Sequence, residues 1–154
     1  MEKQRKFILV DKDKSMMRLK FLVGTFLSLA IFIQIESCNT NTFAQGEILY
    51  NNFCSNCHMV DGNGLANLIP PVAESDYLQN HAAQIACIIR YGMEGKIVVN
   101  GVTYEAEMPG FKELSDFEIA NIINFMHHQW NPDLPFKKIQ TIQKELENCN
   151  ISTR

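Results

Sequence analysis

Two cysteines and a histidine stand together in Cys54-Ser55-Asn56-Cys57-His58, and this spacing restricts what the chain can fold around more than any other stretch of it. Two intervening residues on one helical turn bring both sulfurs to the same side, and the imidazole follows directly. Both thiols then reach the two vinyl groups on one edge of a porphyrin, while a ring nitrogen of His58 points at the iron. The stretch therefore reads as the attachment site of one covalent haem c with one protein ligand. In other settings two cysteines and a histidine bind zinc or perform thiol redox chemistry. Zinc would want a fourth ligand nearby, and no second cysteine pair exists, because Cys38, Cys87 and Cys149 stand apart.

Iron held by His58 alone would be open to small ligands, whereas a thioether on its other face would close it and favour the reduced state. Met108-Pro109-Gly110-Phe111, fifty residues past His58 in a predicted loop, offers the best candidate, with Pro109 and Gly110 restricting and turning the backbone. Met59 is held beside His58 and cannot reach the opposite face, and Met126 falls within a predicted helix. Met93, at a helix end, is the competitor. A lone methionine is otherwise core filler. His81, His127 and His128 would give bis-histidine coordination, but they fall on predicted helices at surface-like positions. On the near side, Pro70 lies twelve residues past His58 in Ile69-Pro70-Pro71-Val72. A rigid Pro-Pro segment can hold a carbonyl against the other ring nitrogen of His58, or simply end a loop.

The flanking sequence supplies helices. Residues 46–54 carry Leu49, Tyr50 and Phe53 at helical spacing and lead into the motif. Asp61-Gly62-Asn63-Gly64 is rich in turn residues. Ser75-Asp76-Tyr77-Leu78 is a helix entry, and His81 to Tyr91 reads as a helix stopped by Gly92, with Ile85, Ile88 and Ile89 as its buried stripe. β-Branched residues and Tyr104 flank Asn100-Gly101, the signature of a two-residue hairpin turn. Ser115-Asp116-Phe117-Glu118 is a capping box, followed by Ile119, Ile122, Ile123 and Met126 in a strong helix that Asn131-Pro132 ends. Ile139, Ile142, Leu146 and Cys149 mark a weaker amphipathic helix that either packs back on the domain or forms a tail. Cys87 is most simply a small buried residue; a Cys87–Cys149 disulfide suits an oxidising compartment, but spacing does not establish it.

At the other end, residues 21–35 form an apolar run preceded by Arg18 and Lys20, which reads as a secretory signal peptide, with an uncleaved anchor as the alternative. Its basic region is long, and a start at Met16 or Met17 would make it more compact. Ile35-Glu36-Ser37-Cys38 resembles a lipobox with an unusual Glu36, so lipid on Cys38 would tie the protein to a membrane; Thr42-Phe43-Ala44 is a competing cleavage site. Both outcomes place the domain outside the cytoplasm, on the periplasmic side. The divisions are a leader over 1–38, a tether over 39–45, a domain over 46–131 and an extension over 132–154. Residues 1–44 hold seven Lys/Arg against four Asp/Glu, hence +3, and the remainder seven against thirteen, hence −6. An acidic domain argues against nucleic acid as a partner. It allows docking to a basic protein surface, and a merely solvated acidic face explains it as well.

Taken together, Gly46 and Tyr50 ahead of Cys54-Ser55-Asn56-Cys57-His58, then Pro70, Met108-Pro109 and the helix after Leu114-Ser115-Asp116, resemble a class I c-type cytochrome over residues 46–130. The resemblance implies a mainly α, cytochrome c-like helical domain around one covalent haem, with a small β-hairpin before the Met108 loop. It also implies that the first and last helices cross at Gly46 and Phe125 beside Tyr50, that Pro70 gives its carbonyl to His58, and that Val72 packs on the haem edge. Expected cofactor contacts are thus Cys54, Cys57, His58, Pro70 and Met108, with His58 and Met108 on the iron. The implied function is an electron carrier between redox proteins, without catalysis of its own. The alternatives are an electron-donating subunit of a larger oxidase or reductase and a haem-based sensor of small ligands. The hairpin and the extension after Trp130 depart from the smallest family members.

Overall fold

The computed structural model describes Met17, Arg18, residues 20–26 and residues 42–149. Two compact units divide the chain, 1–40 and 41–154. In the first, Met17, Arg18 and residues 20–26 are helical, and among the described residues no helix is long and apolar enough to cross a membrane. Cys38, with its expected lipid, and most of the proposed leader lie outside the described residues.

In the second unit, α1 (Ala44–Phe53) begins two residues before the boundary expected at Gly46. It is followed by α2 (Ser55–His58), α3 (Asp76–Asn80) and α4 (Ile85–Tyr91), then α5 (Asp116–Trp130) and α6 (Ile139–Glu147). Between α4 and α5 lie four short strands: β1 (Gly92–Met93), β2 (Ile97–Val99), β3 (Val102–Tyr104) and β4 (Met108–Pro109). The unit is mainly α, as the resemblance implies.

The frame is the crossing of α1 on α5. A Cβ on Gly46 would collide with the Asn121 carbonyl oxygen and with Cβ of Phe125, so only glycine lets the two backbones approach this closely. Tyr50 fills the crossing, its ring 5.5 Å from that of Phe125 and 5.0 Å from that of Trp130. The Ser115 capping box is formed, with Glu118 Oε2 accepting from the Ser115 amide at 2.7 Å. From that start, Ile119, Ile122 and Ile123 of α5 are wholly buried. Each contributes about 1.5–3 kcal/mol by leaving water.

The hairpin forms as its turn residues dictate. Val99 pairs with Val102 across Asn100 and Gly101, both in the left-handed region at φ 49° and 78°. Asn100 does more than turn the chain: its amide donates to Asp76 Oδ1 at 2.7 Å, and its Oδ1 accepts from the Asp76 amide at 3.0 Å. The hairpin tip is thereby tied to the start of α3.

Two expectations change and one open choice is decided. Residues 81–91 are not one helix, because α3 ends with the His81 amide bonded to the Tyr77 carbonyl and a turn separates it from α4. Cys87 is not simple core filler, since it is disulfide-bonded to Cys149. The chain after Asn131 is built into the unit: Ile142 is fully buried, and the Asn124 side chain exchanges hydrogen bonds with the Lys137 backbone at 2.7 and 2.9 Å. Lys137, itself buried, donates to Glu145 at 2.7 Å.

Candidate functional site

Helix α1 carries its hydrogen bonding into the cysteine motif, with the Cys54 amide bonded to the Tyr50 carbonyl and the His58 amide to the Cys54 carbonyl. One continuous turn thus presents Cys54, Cys57 and His58 to a single cavity. Cys54 is buried and Cys57 exposed, and both are free thiols although Cys87 and Cys149 are paired. Burial, and secondarily the neighbouring Cys57, pushes the Cys54 thiol up to about 12. The chain leaves the motif through Met59, in the left-handed region at φ 63°, whose carbonyl accepts from the Tyr50 hydroxyl at 2.8 Å. That bond anchors the motif to the α1–α5 crossing.

His58 is oriented from behind. Its Nδ1 lies 3.0 Å from the Pro70 carbonyl oxygen. A carbonyl only accepts, so Nδ1 carries the proton and Nε2 keeps its lone pair. Burial lowers the pKa of the ring and the bond to Pro70 opposes that shift, so the neutral imidazole is favoured. The loop holding Pro70 is fixed in turn. The amides of Val72 and Ala73 donate to the Gly62 carbonyl at 2.8 and 3.0 Å, and Asn131 donates to the Val72 carbonyl at 2.9 Å.

The Met108 segment reaches the cavity as a strand rather than as a loop. β1 and β4 pair antiparallel, with Gly92 against Pro109 and Met93 against Met108. A Cβ on Gly92 would press on the Met108 carbonyl, and one on Gly110 would collide with the backbone of Tyr91 and Gly92, so the close approach requires both glycines. Met93 and Met108 both line the cavity. The Tyr77 hydroxyl donates to Met93 Sδ at 3.5 Å. Arg90 secures the segment that follows, bonding the Lys112 and Leu114 carbonyls and pairing with Asp116 at 2.6 Å.

The remaining walls are apolar: Ile85, Ile88 and Ile89 of α4, Ile97, Val99 and Tyr104 of the hairpin, Ile122 and Met126 of α5, and Val72. Glu107 is the one carboxylate among the lining residues. A flat, hydrophobic macrocycle carrying iron suits this lining, which sets two thiols, an imidazole and two thioethers among apolar side chains. A zinc site is less well served, since among the described residues no group of three or more His, Cys, Asp or Glu is placed to hold a metal ion.

None of the three other histidines lines the cavity. His81 stacks on Tyr77 at 4.0 Å and His128 on Phe43 at 4.2 Å. His127 was expected at the surface and is instead 2% exposed, its Nδ1 bonded to the Pro135 carbonyl at 2.9 Å. Asn131 and Tyr77 were not singled out from the sequence for what they hold. Asn131 before a proline signals only a helix end, and nothing local in Tyr77 tells of a sulfur sixteen residues away.

The family model for Cytochrome c matches residues 43–130. The chain is 32% identical over 91 residues to cytochrome c-552 of Thermus thermophilus, an alignment spanning 56% of this chain and 69% of that protein. It is 33% identical over 93 residues to the cytochrome c subunit of a quinone alcohol dehydrogenase from Gluconobacter oxydans, over 58% of this chain and 19% of that subunit.

Proposed function

From the premise that this chain belongs to the cytochrome c family and is an electron carrier with one covalent haem c, we propose that Cys54 and Cys57 hold the haem and that His58 and Met108 are its axial ligands. The observation that carries this reading is that Cys54, Cys57, His58 and Met108 all line one apolar cavity. Bound there, the haem supplies a one-electron iron couple.

The chain's own residues set the conditions. Two thioethers prevent loss of the group. The Pro70 carbonyl keeps the proton on Nδ1 of His58, so Nε2 keeps its lone pair and would be the donor to iron, with basicity gained from the bond at Nδ1. Met108 favours ferrous iron, as thioethers do. Apolar walls from α4, α5 and the hairpin disfavour the charge gained on oxidation and exclude water. With His58 and Met108 both holding the iron, the group would offer no open position to a substrate, and the protein would pass electrons without turning one over.

Export fits this role: the apolar leader is consistent with it, and the Cys87–Cys149 disulfide belongs to an oxidising compartment. The leader is assigned to 1–38, with lipid on Cys38, and the electron-transfer domain to 46–131. A second reading, as the electron-transferring subunit of a larger enzyme, is favoured by the dehydrogenase-subunit relative. In either role the partners are redox proteins.

The axial assignment is tested by the weak sulfur-to-iron band of the oxidised protein. It persists in Met93→Leu and disappears in Met93→Leu/Met108→Leu. Loss in the single variant overturns the assignment to Met108, and rapid carbon monoxide binding by the reduced wild type overturns the closed electron carrier in favour of a ligand sensor.

A further inference from the structure

Met93 and Met108 are Cα partners on the β1–β4 ladder. Residues directly opposite on an antiparallel pair send their side chains to the same face, with Cβ atoms about 4.5–5.5 Å apart. A methionine side chain is long and has three rotatable bonds, so two of them rooted that close can bring their sulfurs to a common point. The register leaves them little freedom to separate. Gly92 and Gly110 put the two backbones in contact, and the Phe111 amide donates to the Ile89 carbonyl at 2.9 Å just beyond the ladder.

The two sulfurs differ in what holds them. Met93 Sδ accepts a hydrogen bond from the Tyr77 hydroxyl at 3.5 Å, and Tyr77 is itself fixed by stacking on His81. A lone pair engaged by a hydroxyl is less available as a donor to metal. Simple core filling explains a half-buried methionine. It does not explain one set opposite the candidate ligand, in the same cavity, with its sulfur occupied by a hydroxyl.

We propose that Met93 is a reserve axial ligand, held off by Tyr77 while Met108 is bound and able to take the sixth position when Met108 leaves it. This rests on the haem reading above. The exchange is electron-neutral: one thioether lone pair replaces another on the iron, no proton is lost, and the Tyr77 hydroxyl gives up its bond to sulfur. Its consequence is an iron kept closed to small ligands during excursions of Met108. A single-thioether site would open at those moments.

The test compares oxidised-state spectra and carbon monoxide binding of the haem-loaded full chain in Met108→Leu, Met108→Leu/Tyr77→Phe and Met93→Leu/Met108→Leu. Leucine keeps the volume of the side chain, and circular dichroism together with the covalent haem mass reports that each variant is folded and loaded. Met108→Leu is expected to remain low-spin with a sulfur-to-iron band, weaker or shifted relative to wild type. Tyr77→Phe in that background strengthens the band. If Met93 occupies nine irons in ten, carbon monoxide binds Met108→Leu about tenfold more slowly than the double methionine variant. Loss of the band in Met108→Leu, with carbon monoxide binding as fast as in the double variant, overturns the reserve role and leaves the Met108 assignment standing. Loss of the band in Met93→Leu alone would instead make Met93 the resident ligand.

Discussion

The side-chain amide of Asn131 donates to the carbonyl of Val72, 59 residues earlier, at 2.9 Å, and its oxygen accepts from the Ser75 amide at 3.2 Å. Asn131 is 2% exposed and also donates to the Met126 carbonyl. It joins the end of α5 to the segment that carries Pro70, so the helix that frames the cavity also fixes the carbonyl behind His58.

Asn131→Leu keeps the bulk and removes all three bonds. Leaving the Val72 carbonyl and the Ser75 amide buried without partners costs about 2–4 kcal/mol. Denaturant unfolding of the loaded protein measures that loss. A change in the redox potential is expected alongside it, because the bond that His58 donates to the Pro70 carbonyl is loosened. An unaltered midpoint of unfolding would show that the 72–75 segment does not depend on Asn131.

Removing the Cys87–Cys149 disulfide with Cys149→Ser lowers stability by at most about 4 kcal/mol, the chain-entropy value for a separation of 62 residues. The bonds from Asn124 to Lys137 and from Lys137 to Glu145 remain. Amide exchange should therefore accelerate mainly over 139–147 and leave α5 protected. Uniform acceleration across the unit would mean that α6 and the frame unfold together.

His127 gives a pH dependence of defined sign. Burial lowers its pKa below 6.5, outweighing the opposing bond to the Pro135 carbonyl, and nearby Lys137 adds to the lowering while Glu145 opposes it. Its Nε2 is buried without a hydrogen-bond partner among the described residues. As pH falls through the unfolded-state value of 6.5, the unfolded chain takes up a proton that the folded chain refuses, so stability declines. The decline ends once the folded ring is protonated as well, and above 6.5 the full stability is retained. Unfolding free energies measured from about pH 8 to about pH 5 should therefore fall more steeply for wild type than for His127→Gln. Parallel curves would remove His127 as the cause.

Much of the site is written locally. The cysteine spacing, the Asn100-Gly101 turn and the Ser115 cap each act through residues within a few positions, so periodicity and turn chemistry reveal them. Gly46 is legible only through the resemblance, because its reason is Phe125 and the Asn121 carbonyl on another helix. The register that sets Met93 against Met108 escapes notice for the same cause. A two-residue ladder built on glycine contacts carries no alternating pattern, so Met108 reads as a loop residue. His127 reads as a surface residue because its cover, Pro135 and the chain beyond, is held in place by Asn124 one turn before it and by Cys87 far upstream.

The central claim is that Cys54 and Cys57 bind one haem covalently. The mass of the denatured full chain, made in cells that attach haem to exported proteins, tests it most directly. The account predicts a mass greater than that of the processed polypeptide by one haem, and no such increment in Cys54→Ser/Cys57→Ser. A wild-type mass equal to the polypeptide alone, in cells that load a control cytochrome, would contradict it.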